Sequence, residues 1–118
     1  MTTSNRFLPK AAAMELNIII DDYSMNLNVP DDYIASSEAS FARLDAGMDE
    51  GIQLGQEWVA EPNALQRCQA AANRLLSALE SHNEGLAMLS AGYILNRREG
   101  TQRVVIDNNG DPSRTTFE

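Results

Sequence analysis

The chain has a single cysteine among its 118 residues, so it cannot form a disulfide within itself. That scarcity suits a reducing compartment, and we predict a cytoplasmic location. The longest near-apolar stretch, 86–95, is far shorter than the roughly 20 residues that a membrane-spanning helix needs. Residues 1–13 have no apolar run that could serve as the core of a signal peptide. We therefore expect neither secretion nor a membrane partner.

Residues and motifs that carry chemistry are also scarce. Glycine-rich phosphate-binding loops, the Gly-x-Ser-x-Gly elbow of hydrolases and the Glu-x-x-His pattern of di-iron bundles are all absent from the sequence. Cys68 and the only histidine, His82, both fall on an apolar helical seam. We interpret Cys68 as a small core hydrophobe and His82 as a buried or half-buried structural histidine. The sequence therefore predicts no catalytic residue, cofactor or metal, and it favours a non-enzymatic role.

Basic residues are outnumbered, with 9 basic against 17 acidic residues and a net charge of −8 at pH 7. The excess lies between Met14 and Glu61, where eleven acidic residues accompany one arginine and the net charge is −10. Such a surface repels phosphate backbones, so we predict no nucleic-acid partner. The negative charge has two possible roles: it keeps a small protein soluble, or it lets the protein act as a regulator that occupies a basic site on another protein.

Both ends of the sequence alternate apolar and polar residues, as half-buried strands do. The alternating residues of 16–20 and 25–29 flank turn-forming residues at 21–24, which predicts a β-hairpin that ends at Pro30. The extended runs 104–106 and 115–117 flank the dipeptide Asn109–Gly110, which predicts a second hairpin. Within that turn, Asp107 to Asp111 resembles a calcium loop only superficially, because the required glycine and distal glutamate are missing.

Helical periodicity dominates the middle of the chain. An apolar stripe predicts one helix from Asp31 or Asp32 to about Val59. Apolar residues then recur in steps of three and four from 65 to 93, which predicts one long helix ending near Arg98, with a break near His82 as the alternative. The order of elements predicts an α+β fold for 14–118, a two-layer domain in which an antiparallel helix pair packs on a small antiparallel sheet made of the N-terminal and C-terminal hairpins. Residues 1–13 are expected to form a flexible leader or an expression remnant before a native start at Met14.

Gly47, Gly51 and Gly55 are spaced by four residues inside the first predicted helix. An interior glycine costs a helix about 1 kcal/mol relative to alanine, so we expect a close contact that offsets the cost. The partner is either the second helix of the same chain or another molecule, and we name Gly47, Gly51, Gly55 and Trp58 as the predicted interaction surface. Alternatively, the helix ends near Gly47 and the later glycines belong to a loop.

Carboxylates at Glu38, Asp45 and Asp49 fall along one edge of the first predicted helix. They could offer oxygen ligands to a cation if His82 faced them. We interpret them instead as a solvated acidic face, since exposed carboxylates on helices are common.

Three hypotheses for the function follow. The first is a non-enzymatic protein-protein interaction or accessory protein that self-associates as a homodimer through its helix seams. The second is a small-molecule-binding domain or small enzyme with a pocket between sheet and helices, near Tyr23, Tyr33, Trp58 or His82. The third is an acidic regulator that binds a basic protein site.

Overall fold

The protein was analysed as a computed structural model, and the structure describes residues 13–118. The predicted leader lies outside the described residues except for Ala13, which begins the first strand. The elements in chain order are β1 Ala13–Ile20, β2 Tyr23–Pro30, α1 Asp31–Ser36, α2 Glu38–Met48, β3 Ile52–Leu54, β4 Glu57–Val59, α3 Ala64–Glu80, α4 Glu84–Arg97, β5 Arg103–Ile106, a 3₁₀ turn Pro112–Arg114, and β6 Thr116–Phe117. The predicted α+β class is confirmed.

The main sheet has the strand order β2-β1-β5-β6. β1 and β2 form the predicted hairpin, with Ile20 opposite Tyr23 across a two-residue turn in which Asp21 has φ +54°. β5 and β6 also pair antiparallel, as predicted. The two hairpins meet at β1 and β5, which run parallel, whereas the sequence predicted antiparallel strands throughout. Parallel neighbours need a long crossover, and the helices between β1 and β5 supply it.

Helices cover one face of this sheet. Leu16 and Ile18 of β1 and Val104 of β5 are fully buried on that face. α3 and α4 pack on each other and against the sheet, and Leu75 and Ile94 complete the core from their side. The alternate residues of each strand point away from the helices, and on this opposite face they are mostly polar, with half-buried Ile19 and Val105 as the apolar pair. The two-layer arrangement follows from this alternation.

The predicted helix from Asp31 to Val59 is wrong beyond Met48. The chain forms α1 and α2, separated at Ser37, and then the short β3–β4 hairpin. Gly51 and Gly55 have φ values of +107° and +67°, which an α-helix cannot contain but a turn can. Ile52 and Leu54 are buried while Gln53 is exposed, so the period of two that marks a strand is present there. The loop interpretation of these two glycines is the one that the structure supports.

The single long helix is also wrong, and the alternative break near His82 is confirmed. α3 begins at a capping box of Asn63 and Gln66 and ends at Glu80. Asn83 then caps α4 by accepting a hydrogen bond from the Leu86 amide at 3.1 Å. His82 lies between the helices with φ +58° and is exposed, so its prediction as a buried histidine is wrong. The apolar residues of 65–93 keep their spacing of three and four across this break, because α3 and α4 both turn them towards the same core.

Candidate functional site

A groove of about 330 Å³ runs between the C-terminal end of α2, the β3–β4 hairpin and the middle of α3. We call it the Trp58 groove, and its lining includes Gly47, Gly51, Trp58, Asn73 and Arg74. Three of the four predicted interaction residues therefore lie in one depression of the surface. They are brought together by the hairpin that follows α2, and not by a helical edge as the sequence suggested.

Trp58 is held over Gly51. A Cβ atom added to Gly51 would lie 2.3 Å from Cζ2 of the indole, so any side chain there would require the ring to move. The backbone of Gly51 is also in a region that side chains disfavour. Despite this support, the Trp58 side chain is 59% exposed. The arrangement presents a large apolar ring to solvent over the backbone of Gly51.

The other two glycines serve different ends. Gly55 forms the turn between β3 and β4, and it does not line the groove. A Cβ atom there would lie 3.2 Å from the carbonyl oxygen of Gly110 and 3.3 Å from Cδ of Pro112, so the turn packs on the C-terminal loop. Gly47 lies within α2 and has open space where a side chain would project. The predicted row of glycines is therefore not one continuous contact.

One charged residue lines the groove. Arg74 is exposed and makes no ion pair with any residue of 13–118. Glu50, next to Gly51 in the chain, is also exposed. An exposed aromatic ring beside an arginine is typical of a protein-protein interface.

Glu38, Asp45 and Asp49 take part in an ion-pair cluster. The interpretation of a solvated face is wrong for Asp45, whose side chain is 29% exposed, but it holds for Glu38 and Asp49, which are 60% and 65% exposed. Asp45 Oδ1 accepts a hydrogen bond from the Tyr93 hydroxyl at 2.5 Å, and Asp45 Oδ2 accepts one from Arg97 Nε at 3.0 Å. Arg67 Nη2 donates to Asp49 at 2.5 Å, and Arg97 Nη1 donates to Glu38 at 3.1 Å. The carboxylates thus join α2 to α3 and α4.

Burial strengthens this cluster. The Tyr93 side chain is 1% exposed. Its burial, and to a smaller extent its hydrogen bond to Asp45, raise the pKa of the Tyr93 hydroxyl above the ordinary value. The hydrogen bond to Asp49 raises the pKa of Arg67 further, which keeps that guanidinium charged. The Arg97 guanidinium carbon lies 5.8 Å from the ring centre of Phe41 and 5.6 Å from that of Tyr93, within cation–π range. We interpret the cluster as a structural link between helices.

Sequence reasoning missed the basic half of this cluster. The sequence pattern indicates no carboxylate partner for Arg67 or Arg97. Each is separated from its carboxylate partners on α2 by more than a dozen residues, and the arrangement depends on how the helices cross. The unpaired negative charge of α2 was the one signal in the sequence that pointed to such partners.

The remaining candidate residues do not converge. Cys68 is 1% exposed in the core, where burial raises the pKa of its thiol to about 11, so its predicted packing role is confirmed. Tyr33 packs against α4 at Gly92, while Tyr23 begins β2 and His82 lies in the α3–α4 turn. Of the three aromatic residues and one histidine proposed for a small-molecule pocket, Trp58 alone lines the groove described above.

The acidic C-terminal loop uses its oxygens internally. The Asp107 carboxylate accepts hydrogen bonds from the amides of Asn109 and Asp111, both at 3.0 Å, and these lower the pKa of Asp107. Asp111 accepts from the amide of Ser113 at 3.2 Å. The turn interpretation is therefore confirmed.

Within 13–118, no group of three or more histidine, cysteine and carboxylate side chains is placed to hold a metal ion. Among the helices of this region, none is both long enough and apolar enough to cross a membrane.

No family model, curated protein or solved structure matches the chain. The geometry of the described residues is therefore the basis for assigning a function.

Proposed function

We propose that the protein is a non-enzymatic interaction protein that forms a homodimer through the Trp58 groove. The observation that carries the proposal is the Trp58 indole, 59% exposed and packed over Gly51. Tryptophan is enriched among the few residues that supply most of the binding energy of an interface. A ring that is already positioned loses little conformational freedom on binding, which favours association.

The charges beside the groove support a second copy as the partner. A chain with a net charge of −8 repels its own copies unless opposite charges meet at the contact. In a two-fold dimer at the groove, pairing of Arg74 of each copy with an exposed carboxylate of the other, such as Glu50, would favour association, and each such pair would form twice. The dimer would contain no disulfide between copies, because the single cysteine, Cys68, is free and buried. A contact without disulfides agrees with the cytoplasmic location that we also propose.

Sedimentation velocity over a range of protein concentrations tests this proposal. We expect a monomer–dimer equilibrium for the native chain, a shift to monomer for Trp58→Ala, and a smaller shift for Trp58→Phe. Leu65→Ala is the matched control, because Leu65 is another exposed apolar side chain, 39% exposed, that does not line the groove. A native chain that remains monomeric at hundreds of micromolar, or a Trp58→Ala dimer of native strength, would contradict the proposal.

An acidic regulator of a basic protein is the second candidate. The observation in its favour is that the aspartates at both ends of β2, Asp21, Asp22, Asp31 and Asp32, are exposed and make no ion pair within the described part of the chain. Their charge is therefore available to a partner. Binding to a basic partner should weaken as salt is raised, since exposed charges are screened.

A further inference from the structure

The outer edge of β2 is the longest unpaired strand edge in residues 13–118. β2 has eight residues and ends the main sheet, whereas β6 at the opposite edge has two. The two-residue turn makes Ile20 and Tyr23 a hydrogen-bonded pair, and the pairing with β1 continues without a bulge. Alternate residues therefore direct their backbone N–H and C=O groups away from β1, and these are Ser24, Asn26 and Asn28. They can pair with another strand.

The usual protection against strand addition is weak along β2. Native edge strands are protected by charged side chains, by bulges or by proline. β2 carries no charged residue and has proline only at its last position, Pro30. Met25 and Leu27, on the face towards the helices, are only half-buried. An added strand would cover these two side chains and pair the free backbone groups.

Each end of this uncharged strand carries two aspartates, Asp21 and Asp22 before it and Asp31 and Asp32 after it. All four are exposed. From Asp22 to Asp31 an extended chain spans roughly 30 Å at about 3.4 Å per residue. The β2 edge therefore has a neutral centre and negative charge at both ends. The distance between the two charged ends is well beyond one Debye screening length at physiological salt.

This charge pattern disfavours β2 of a second copy as the added strand. Antiparallel pairing that uses all three outward residues places Ser24 opposite Asn28 of the other copy. Asp21 of each copy then lies opposite Asp31 of the other, so this contact between like charges occurs twice. Parallel pairing in register places each aspartate pair beside its own equivalent. Like charges opposite one another destabilise strand pairs, so neither arrangement is favoured.

We propose that the β2 edge binds an extended segment of another protein, with an uncharged middle of alternating apolar and polar residues and basic residues at both ends. Backbone hydrogen bonds to the three outward residues would supply affinity, and the segment's apolar residues would pack beside Met25 and Leu27. The aspartates would select partners with basic ends and reject the chain's own copies.

Fluorescence anisotropy of the labelled peptide Lys-Arg-Thr-Val-Thr-Leu-Thr-Lys-Arg with the full chain tests the charge pattern. We expect saturable binding at low salt, and binding at least about fivefold weaker for the double variant Asp22→Asn with Asp31→Asn. The same peptide with glutamate at its four basic positions should not bind. Equal affinity for the two peptides, or unchanged affinity in the double variant, would overturn the proposal.

Two proline variants test the backbone pairing. Asn26→Pro and Asn28→Pro each remove one outward N–H group, whereas Asn26→Ala and Asn28→Ala keep it and serve as matched controls. We expect each proline variant to bind the basic peptide at least about fivefold more weakly than its alanine control, with the fold verified by circular dichroism. Proline variants that are folded and bind as well as their controls would show that the peptide does not pair with β2. Trp58→Ala should bind the peptide normally, which separates this edge from the Trp58 groove.

Discussion

Replacement of Asp45 by alanine should destabilise the fold more than any other single change to the acidic residues of α2. The Asp45 carboxylate accepts from the Tyr93 hydroxyl at 2.5 Å and pairs with Arg97 at 3.0 Å and Arg67 at 3.4 Å. Its side chain is 29% exposed, and those of Arg67 and Arg97 are 20% and 26% exposed. Hydrogen bonds to a charged group contribute about 1.5–3 kcal/mol each when buried, and exposure reduces that value. We expect Asp45→Ala to lower the free energy of unfolding by about 2–4 kcal/mol.

Urea denaturation followed by far-UV circular dichroism measures this loss. Glu38→Ala is the matched control, because Glu38 pairs with the same Arg97 but is 60% exposed, and it should cost about 0.5 kcal/mol or less. Asp45→Asn keeps an acceptor oxygen and should cost less than Asp45→Ala. In a double-mutant cycle, Asp45→Ala with Tyr93→Phe should show a coupling energy of about 1 kcal/mol. Equal costs for Asp45→Ala and Glu38→Ala, or no coupling to Tyr93, would refute the reasoning.

Two further predictions concern the glycines and the cysteine. Gly51→Ala should lower the free energy of unfolding by about 2 kcal/mol or more, because φ is +107° and the Trp58 ring fills the space. Gly47→Ala should raise the free energy of unfolding by about 0.5–1 kcal/mol, since the α2 backbone is helical and the site is open. Similar effects at both positions in thermal and urea unfolding would contradict the geometry. Burial raises the pKa of the Cys68 thiol from 9.0 to about 11, so the folded state keeps that proton after the unfolded chain has lost it. The free energy of unfolding should therefore fall as the pH rises from 9 to about 11, more for the native chain than for Cys68→Ala, and a thiol reagent should label Cys68 at neutral pH only through unfolding. Rapid labelling of the native protein would show that the thiol is accessible.

Both terminal hairpins could be predicted because their signals are local. Alternation in β1 and β2, with aspartates at the turn, fixes which residues face the core and where the chain reverses. The helix periodicity over 65–93 was equally informative about burial, since it identified residues that do enter the core, among them Cys68. Periodicity did not determine where one helix ends and the next begins. A left-handed residue at His82 and a cap at Asn83 interrupt the helix without disturbing the stripe.

The structure brings Gly51 and Trp58 of the predicted interaction surface together for a reason that the sequence could not supply. Gly51 was assigned to a helix, where its role would be close helix packing. It instead has positive φ beneath an indole that is seven residues away in the chain. A glycine that allows tight helix packing and one that allows a turn look the same in a single sequence. Which of them is present depends on whether the next residues can form a hairpin that packs against α3, and that is a tertiary property.

Two groups of acidic residues differ in what neutralises them. Those of α2 meet arginines from α3 and α4, so their charge is used within the fold. The aspartates at the two ends of β2 have no such partners in residues 13–118. Charge that is already paired contributes little to the attraction of a partner, whereas unpaired charge at a free strand edge contributes both attraction and selectivity. The net charge of −10 over 14–61 therefore overstates what a partner would meet, and the position of the unpaired residues matters more than their number.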